Sequence, residues 1–195
     1  MSSATTARIA GATILVYIAA SIAGTVLFDQ MSNGEGTAAR LANLAAHAPQ
    51  IGLIYVLALL TIFAALILAV ALYELTRDED PELALFALTC RVVEGVLNAV
   101  PAIAMLALPS ISLQAASVTG SEASASNAVG SFLLKLQGWT TIVSAPVFGA
   151  GSALYYYLLA RARSIPIALA WFGVLSSLLL VIAIPEVAPL FRTRV

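Results

Sequence analysis

Apolar residues run almost unbroken through five stretches of the chain, at residues 8–28, 51–73, 83–108, 132–160 and 165–184. Each reaches the roughly 20 residues that an α-helix needs to cross a hydrocarbon core about 30 Å thick. Backbone groups in lipid must find partners within their own segment, so each stretch is expected to be helical. The pattern therefore predicts an all-α fold, a bundle of five transmembrane helices forming one domain over residues 1–195. The fourth stretch is over-long, and its first turns, from Phe132 to Gln137, fit the headgroup region. The first stretch follows a short polar start and Arg8, as a signal peptide would. It exceeds the 7–15 apolar residues of a cleavable segment, and we read it as a retained first span.

The connections differ in length and chemistry. The second, around Glu74 to Glu82, is tight and acidic, and Asp80-Pro81 has the pattern of an N-cap followed by a first-turn proline. The fourth is shorter still and carries Arg161 and Arg163. In the first, residues 37–47 place Leu41 and Leu44 on one side and Arg40, Asn43 and His47 elsewhere. That spacing predicts a short amphipathic helix at the interface. The third, residues 109–130, is rich in Ser and Ala and is expected to be a loop with some helix.

Composition agrees with the pattern. The chain is 61% hydrophobic and 10% charged, against roughly 25% charged in a soluble domain. A net charge of −1 with no basic patch excludes a nucleic-acid partner. With the N-terminus inside, Arg8, Arg77, Arg161 and Arg163 fall on the inner face, and Arg40, Lys135, Arg192 and Arg194 on the outer. The count is even, but the paired arginines of the tight fourth connection favour cytoplasmic short loops and a cytoplasmic N-terminus. The single Cys90 lies inside a span, where cysteine serves as a small apolar filler.

The third stretch carries Arg91 and Glu94 near its middle, with Asn98 a turn further on. At i, i+3 and i+7 the three share one helix face. A charge at the bilayer centre costs at least about 2.5–3.5 kcal/mol, so such residues face a bundle interior and a partner. Two meanings stand open: an ion pair that fixes helix register, or a polar site for a headgroup, an ion or a proton. Pro101, on the same helix, frees the carbonyl of Leu97 beside Asn98. The fourth stretch is the expected recipient, because Gln137, Thr140, Thr141 and Ser144 supply hydrogen-bonding groups before Pro146. Thr141, Ala145, Gly149 and Ala153 form a ladder of small residues that lets another helix approach, and the third and fourth spans should pack closely through it or through the polar face beside it. Tyr73 and residues 155–157, all tyrosine, lie near span ends and read as interfacial anchors.

The lone His47 is a poor metal site without partners, and a pair of histidines for haem is excluded. No nucleophile elbow, His-Glu-x-x-His or phosphate-cradling glycine loop is present. No catalytic residue, metal or cofactor is expected.

Several short motifs occur in a familiar order. Ala7-Arg8-Ile9-Ala10-Gly11 opens the first span, Ala71-Leu72-Tyr73-Glu74-Leu75 closes the second, and Cys90-Arg91-Val92-Val93-Glu94 lies inside the third. Leu136-Gln137-Gly138-Trp139 follows in the fourth, and Arg161-x-Arg163-Ser164-Ile165-Pro166 leads to the fifth. Together they resemble a bacterial multi-pass membrane family known as domain of unknown function 4386, over roughly residues 7–184. The resemblance implies the helical architecture and no particular activity. Gln137 stands where members usually carry a histidine, so an activity resting on that histidine would be missing here. Members also usually have a sixth span, whose lack would leave one flank of the bundle open to a partner.

The expectation is a non-enzymatic membrane protein, a binding module or small subunit of a complex, with Arg91, Glu94, Asn98, Gln137, Thr141 and Ser144 as its polar cluster. Its partners would be the bilayer, a lipid or small amphipathic ligand, and other membrane helices or a second copy. The rivals are a proton-coupled carrier working through Glu94 and, more remotely, a lipid-modifying enzyme with Glu94 as general base. A cavity open to one side favours binding, and access from both sides in turn favours transport.

Overall fold

The computed structural model describes residues 3–192, which form six helices and, among the described residues, no strand. These are α1 (Ser3–Met31), α2 (Gly36–Ala46), α3 (Ala48–Thr76), α4 (Pro81–Ser117), α5 (Ser121–Arg161) and α6 (Ile167–Arg192). Arg194, counted above in the charge tally, lies outside the described residues. Four helices, α1, α3, α4 and α5, are long and apolar enough to cross a membrane. The expected fifth span falls on α6, whose apolar part, Ile167–Ala183, is shorter.

The middle of the bundle is α3 beside α4. Helix α1 packs along α3, α5 along α4, and α6 on the far side of α5. Helices α1 and α5 do not pack on each other, so a cleft opens between them above the α3–α4 floor. Large apolar side chains point outward all round: Leu15, Phe63, Ile103, Val143 and Phe172 are each more than half exposed. Monomeric soluble proteins rarely expose such contiguous apolar surface, whereas lipid accepts it.

Local chemistry sets the ends of the elements. Asp80 caps α4, its Oδ1 accepting from the Leu83 N–H at 3.1 Å, with Pro81 in the first turn. Its Oδ2 also lies 3.5 Å from Arg161 Nη1, tying the start of α4 to the end of α5. The short amphipathic helix is present as α2, and Leu41 and Leu44 are fully buried. They join Phe28, Met31, Ile51, Ile54, Met105 and Leu108 in one apolar cluster.

Three expectations change. Residues 109–130 are not a loop: α4 runs through Pro101 and Pro109 to Ser117, and α5 begins at Ser121. Serine and alanine are compatible with helix, and the only interruption is Val118 to Gly120, where Val118 is extended and Gly120 takes φ +72°. A positive φ carries no steric cost for glycine. The tight junction of α4 with α5 exists, but Gly149 does not make it. A Cβ at Gly149 would sit 2.7 Å from Val181 Cγ2 and 2.8 Å from the Ser177 carbonyl, so that glycine faces α6. Close approach to α4 occurs at Gly151, where a Cβ would stand 2.8 Å from the Cys90 Cβ and 3.2 Å from the Ala87 carbonyl.

The tyrosine triplet divides in the same way. Tyr155 is buried and donates its hydroxyl to the Ala69 carbonyl of α3 at 3.0 Å, and the Tyr156 ring covers Gly173 of α6. Only Tyr157 has an anchor's exposure, with the Arg161 guanidinium 6.0 Å from its ring centre. Consecutive positions are about 100° apart on a helix, so one residue type serves three environments.

Candidate functional site

Arg91 and Glu94 are both 3% exposed, one turn apart on the inner face of α4. Arg91 Nη1 lies 2.9 Å from Glu94 Oε2. The two groups are close but poorly aligned: Arg91 Nε and Nη1 and Glu94 Oε2 make no directed hydrogen bond. The attraction is therefore mainly Coulombic, and aromatic faces supplement it. The guanidinium carbon lies 4.6 Å from the Phe148 ring centre on α5 and 5.8 Å from that of Tyr17 on α1. Both distances fall within reach of a cation–π contact. Arg91 thus bridges the two helices that do not otherwise pack together. On the other side, Asn98 Nδ2 donates to Glu94 Oε1 at 3.3 Å.

A cavity of about 340 Å³ begins at this layer and extends toward α2. From α4 it receives Asn98, Pro101, Ala102 and Met105; from α5, Gln137 and Thr141. From α1 come Tyr17, Ser21, Thr25 and Phe28, and from α3 Ile54, Ala58 and Thr61. Tyr17 and Asn98 belong both to the cavity wall and to the surroundings of the ion pair, so they separate the charges from the open space. At the other end Phe28, Ile54 and Met105 are buried in the cluster beneath α2. The volume lies at the lower end of small-molecule sites.

The expected residues fall into three groups. Arg91, Glu94 and Asn98 are brought together, and Asn98, Gln137 and Thr141 share the cavity. Ser144 is buried outside the cavity lining, with its hydroxyl 3.5 Å from the Thr141 carbonyl. Sequence reasoning missed the α1 wall, although Tyr17, Ser21 and Thr25 recur every fourth residue and mark a polar stripe on an otherwise apolar helix. It also missed Phe148, which looks like any apolar residue until Arg91 is seen beside it.

Among the described residues no group of three metal-binding side chains is assembled. His47 sits at the end of α2 with its Nδ1 2.8 Å from the Asn43 carbonyl, away from the cavity lining.

Four long apolar helices, an outward apolar surface and a polar layer at depth define a helical protein of membrane-spanning type. Within that class, the chain belongs to the family described as domain of unknown function DUF4386, whose model matches residues 9–191. No curated protein and no solved structure matches it.

Proposed function

We propose that this protein is a non-enzymatic binding module of the bacterial cell membrane that takes up a small amphipathic ligand between α1 and α5. The observation that carries the reading is the 340 Å³ cavity lined by Asn98, Gln137 and Thr141, three of the residues singled out from sequence. In this reading α6 is the fifth span, the N-terminus is cytoplasmic, and the Arg91–Glu94 pair is a structural layer at one end of the pocket. The exposed apolar faces of α1 and α6 meet lipid, other helices of a complex or a second copy.

Binding is favoured over carriage by what closes the cavity. The apolar cluster under α2 seals one end, and the Arg91 layer between Tyr17 and Phe148 closes the other. Glu94 itself does not line the cavity and meets it only through Asn98. No side chain in the lining has the charge or the nucleophile–base pairing that lipid modification would need.

The experiment is native mass spectrometry of the protein released from nanodiscs, beside an Ala58→Phe variant that fills the cavity. Wild type should retain a bound amphiphile and the variant should lose it. Equal retention by both would overturn the reading. Proton flux in proteoliposomes that Glu94→Gln abolishes would replace it with the carrier.

A further inference from the structure

The cavity wall has a chemical peculiarity that narrows what it can hold. None of its lining residues is Asp, Glu, Lys, Arg or His. The charges of the adjoining layer, Arg91 and Glu94, are paired with each other behind Tyr17 and Asn98. Several hydrogen-bonding groups, however, are free. The Ser21 and Thr25 hydroxyls and the Gln137 side-chain amide make no hydrogen bond within the described residues, and Asn98 has only its bond to Glu94. Thr61 and Thr141 differ, since each donates back to its own helix, to Leu57 and Gln137.

Access also has a direction. The α2 cluster and the arginine layer lie at the two ends of the cavity, whereas Thr25 on α1 and Thr141 on α5 are exposed at the cleft between two helices that do not touch. With the exposed apolar side chains of α1 and α5, such as Ile22, Val26 and Val143, set in lipid, that opening would face the hydrocarbon. A molecule entering there must already be dissolved in the bilayer.

We infer that the site selects an uncharged amphiphile, an apolar chain with a hydroxyl or carbonyl tip, which enters sideways from the membrane between α1 and α5. The inference rests on the binding reading above. A charged tip would lose its hydration in this wall and find no counter-charge, a penalty that neutral hydrogen-bonding groups escape. The free hydroxyls and the Gln137 amide can both donate and accept, which suits an alcohol or an ester. At about 30 Å³ for each water-sized group the space holds about ten of them, so the tip and first carbons fit while a longer chain trails into lipid.

The test compares three probes of equal chain length in nanodiscs: decanol, decyl sulfate and decyltrimethylammonium. Each is scored by the shift in melting temperature of wild type minus that of Ala58→Phe, which cancels effects on the bilayer itself. Decanol should stabilise wild type selectively, and the two charged probes should not. Gln137→Leu should weaken the decanol response about tenfold in concentration, the worth of one hydrogen bond, with the melting temperature in the absence of probe unchanged. A charged probe that acts as strongly as decanol overturns the inference while leaving a binding site in place. If no probe discriminates wild type from the filled variant, the inference also fails. An amphiphile still retained by wild type alone in mass spectrometry would then show that the binding reading survives it.

Discussion

The two halves of this bundle are built from similar apolar residues yet pack in opposite ways. Toward the short α3–α4 and α5–α6 connections, glycine and tyrosine bring the helices into contact. Gly151 lets α4 close on α5, Gly173 accepts the Tyr156 ring, and Tyr155 reaches across to Ala69 of α3. Toward α2 the space between α1 and α5 is left as a cavity edged by Ser21, Thr25, Gln137 and Thr141. Glycine there is used in both ways: a Cβ at Gly130 would stand 2.5 Å from Leu41 Cδ1 of α2, whereas one at Gly138 would have nothing within 4 Å. The boundary between the halves is the Arg91–Glu94 layer. In lipid, apolar side chains gain little from leaving one apolar medium for another, so close packing and polar contacts decide where helices meet. One half uses that rule to close, and the other leaves Ser21, Thr25 and Gln137 without a side-chain hydrogen bond among the described residues.

The boundary should respond most strongly to mutation. Removing one member of a buried pair strands the other at a cost of about 3–5 kcal/mol, while replacing both with apolar residues can be nearly neutral. Arg91→Met or Glu94→Gln alone should sharply lower expression and melting temperature in detergent, and the double replacement should recover part of the loss. A double-mutant cycle on thermal stability measures the coupling. Single variants as stable as wild type would mean that the halves are not held together by this pair.

How legible was this division in the sequence? The spans, the Asp80 cap and the α2 helix follow from periodicity and capping, which are local. The shared face of Arg91, Glu94 and Asn98 is equally local, because helix geometry alone puts i, i+3 and i+7 together. Which helix meets which small residue is not local. Gly149 and Gly151 are two positions apart and therefore about 200° apart on α5, so one meets α6 and the other α4. The small-residue spacing announces a close helix contact, but not that Gly149 meets α6 while α4 meets Gly151. The cavity was least legible, since it depends on α1 and α5 failing to touch, and no residue on either helix declares that alone.

Glycine substitutions test the comparison next. In the tight half, Gly151→Ala must displace the Cys90 side chain and the Ala87 carbonyl, and overpacking typically costs about 1–3 kcal/mol. In the open half, Gly138→Ala meets no neighbour and gains helix propensity of up to about 1 kcal/mol. Thermal melts should show a clear drop for the first and no drop for the second. Gly149→Leu should destabilise as well, but by loosening α6 from α5, which cysteine cross-linking between those helices would report. Comparable drops for Gly138→Ala and Gly151→Ala would erase the distinction between the halves.

The smallest effect should come from hydroxyl groups, and there the comparison becomes most specific. Tyr155→Phe removes one buried hydrogen bond, to a carbonyl that in mid-helix already accepts the helical N–H four residues on. The remaining loss is about 0.5–1.5 kcal/mol, toward the lower end within a membrane bundle. Ser21→Ala, in the cavity wall, removes a hydroxyl that bonds to nothing among the described residues, and its melting temperature should match wild type. The sign of the contrast matters more than its size, because both changes delete one oxygen at membrane depth. If the tyrosine variant melts lower and the serine variant does not, polar groups hold the structure in one half and stand free in the other. If Ser21→Ala destabilises as much as Tyr155→Phe, the Ser21 hydroxyl is part of the framework, and the cavity wall is no more available to a ligand than the packed half is.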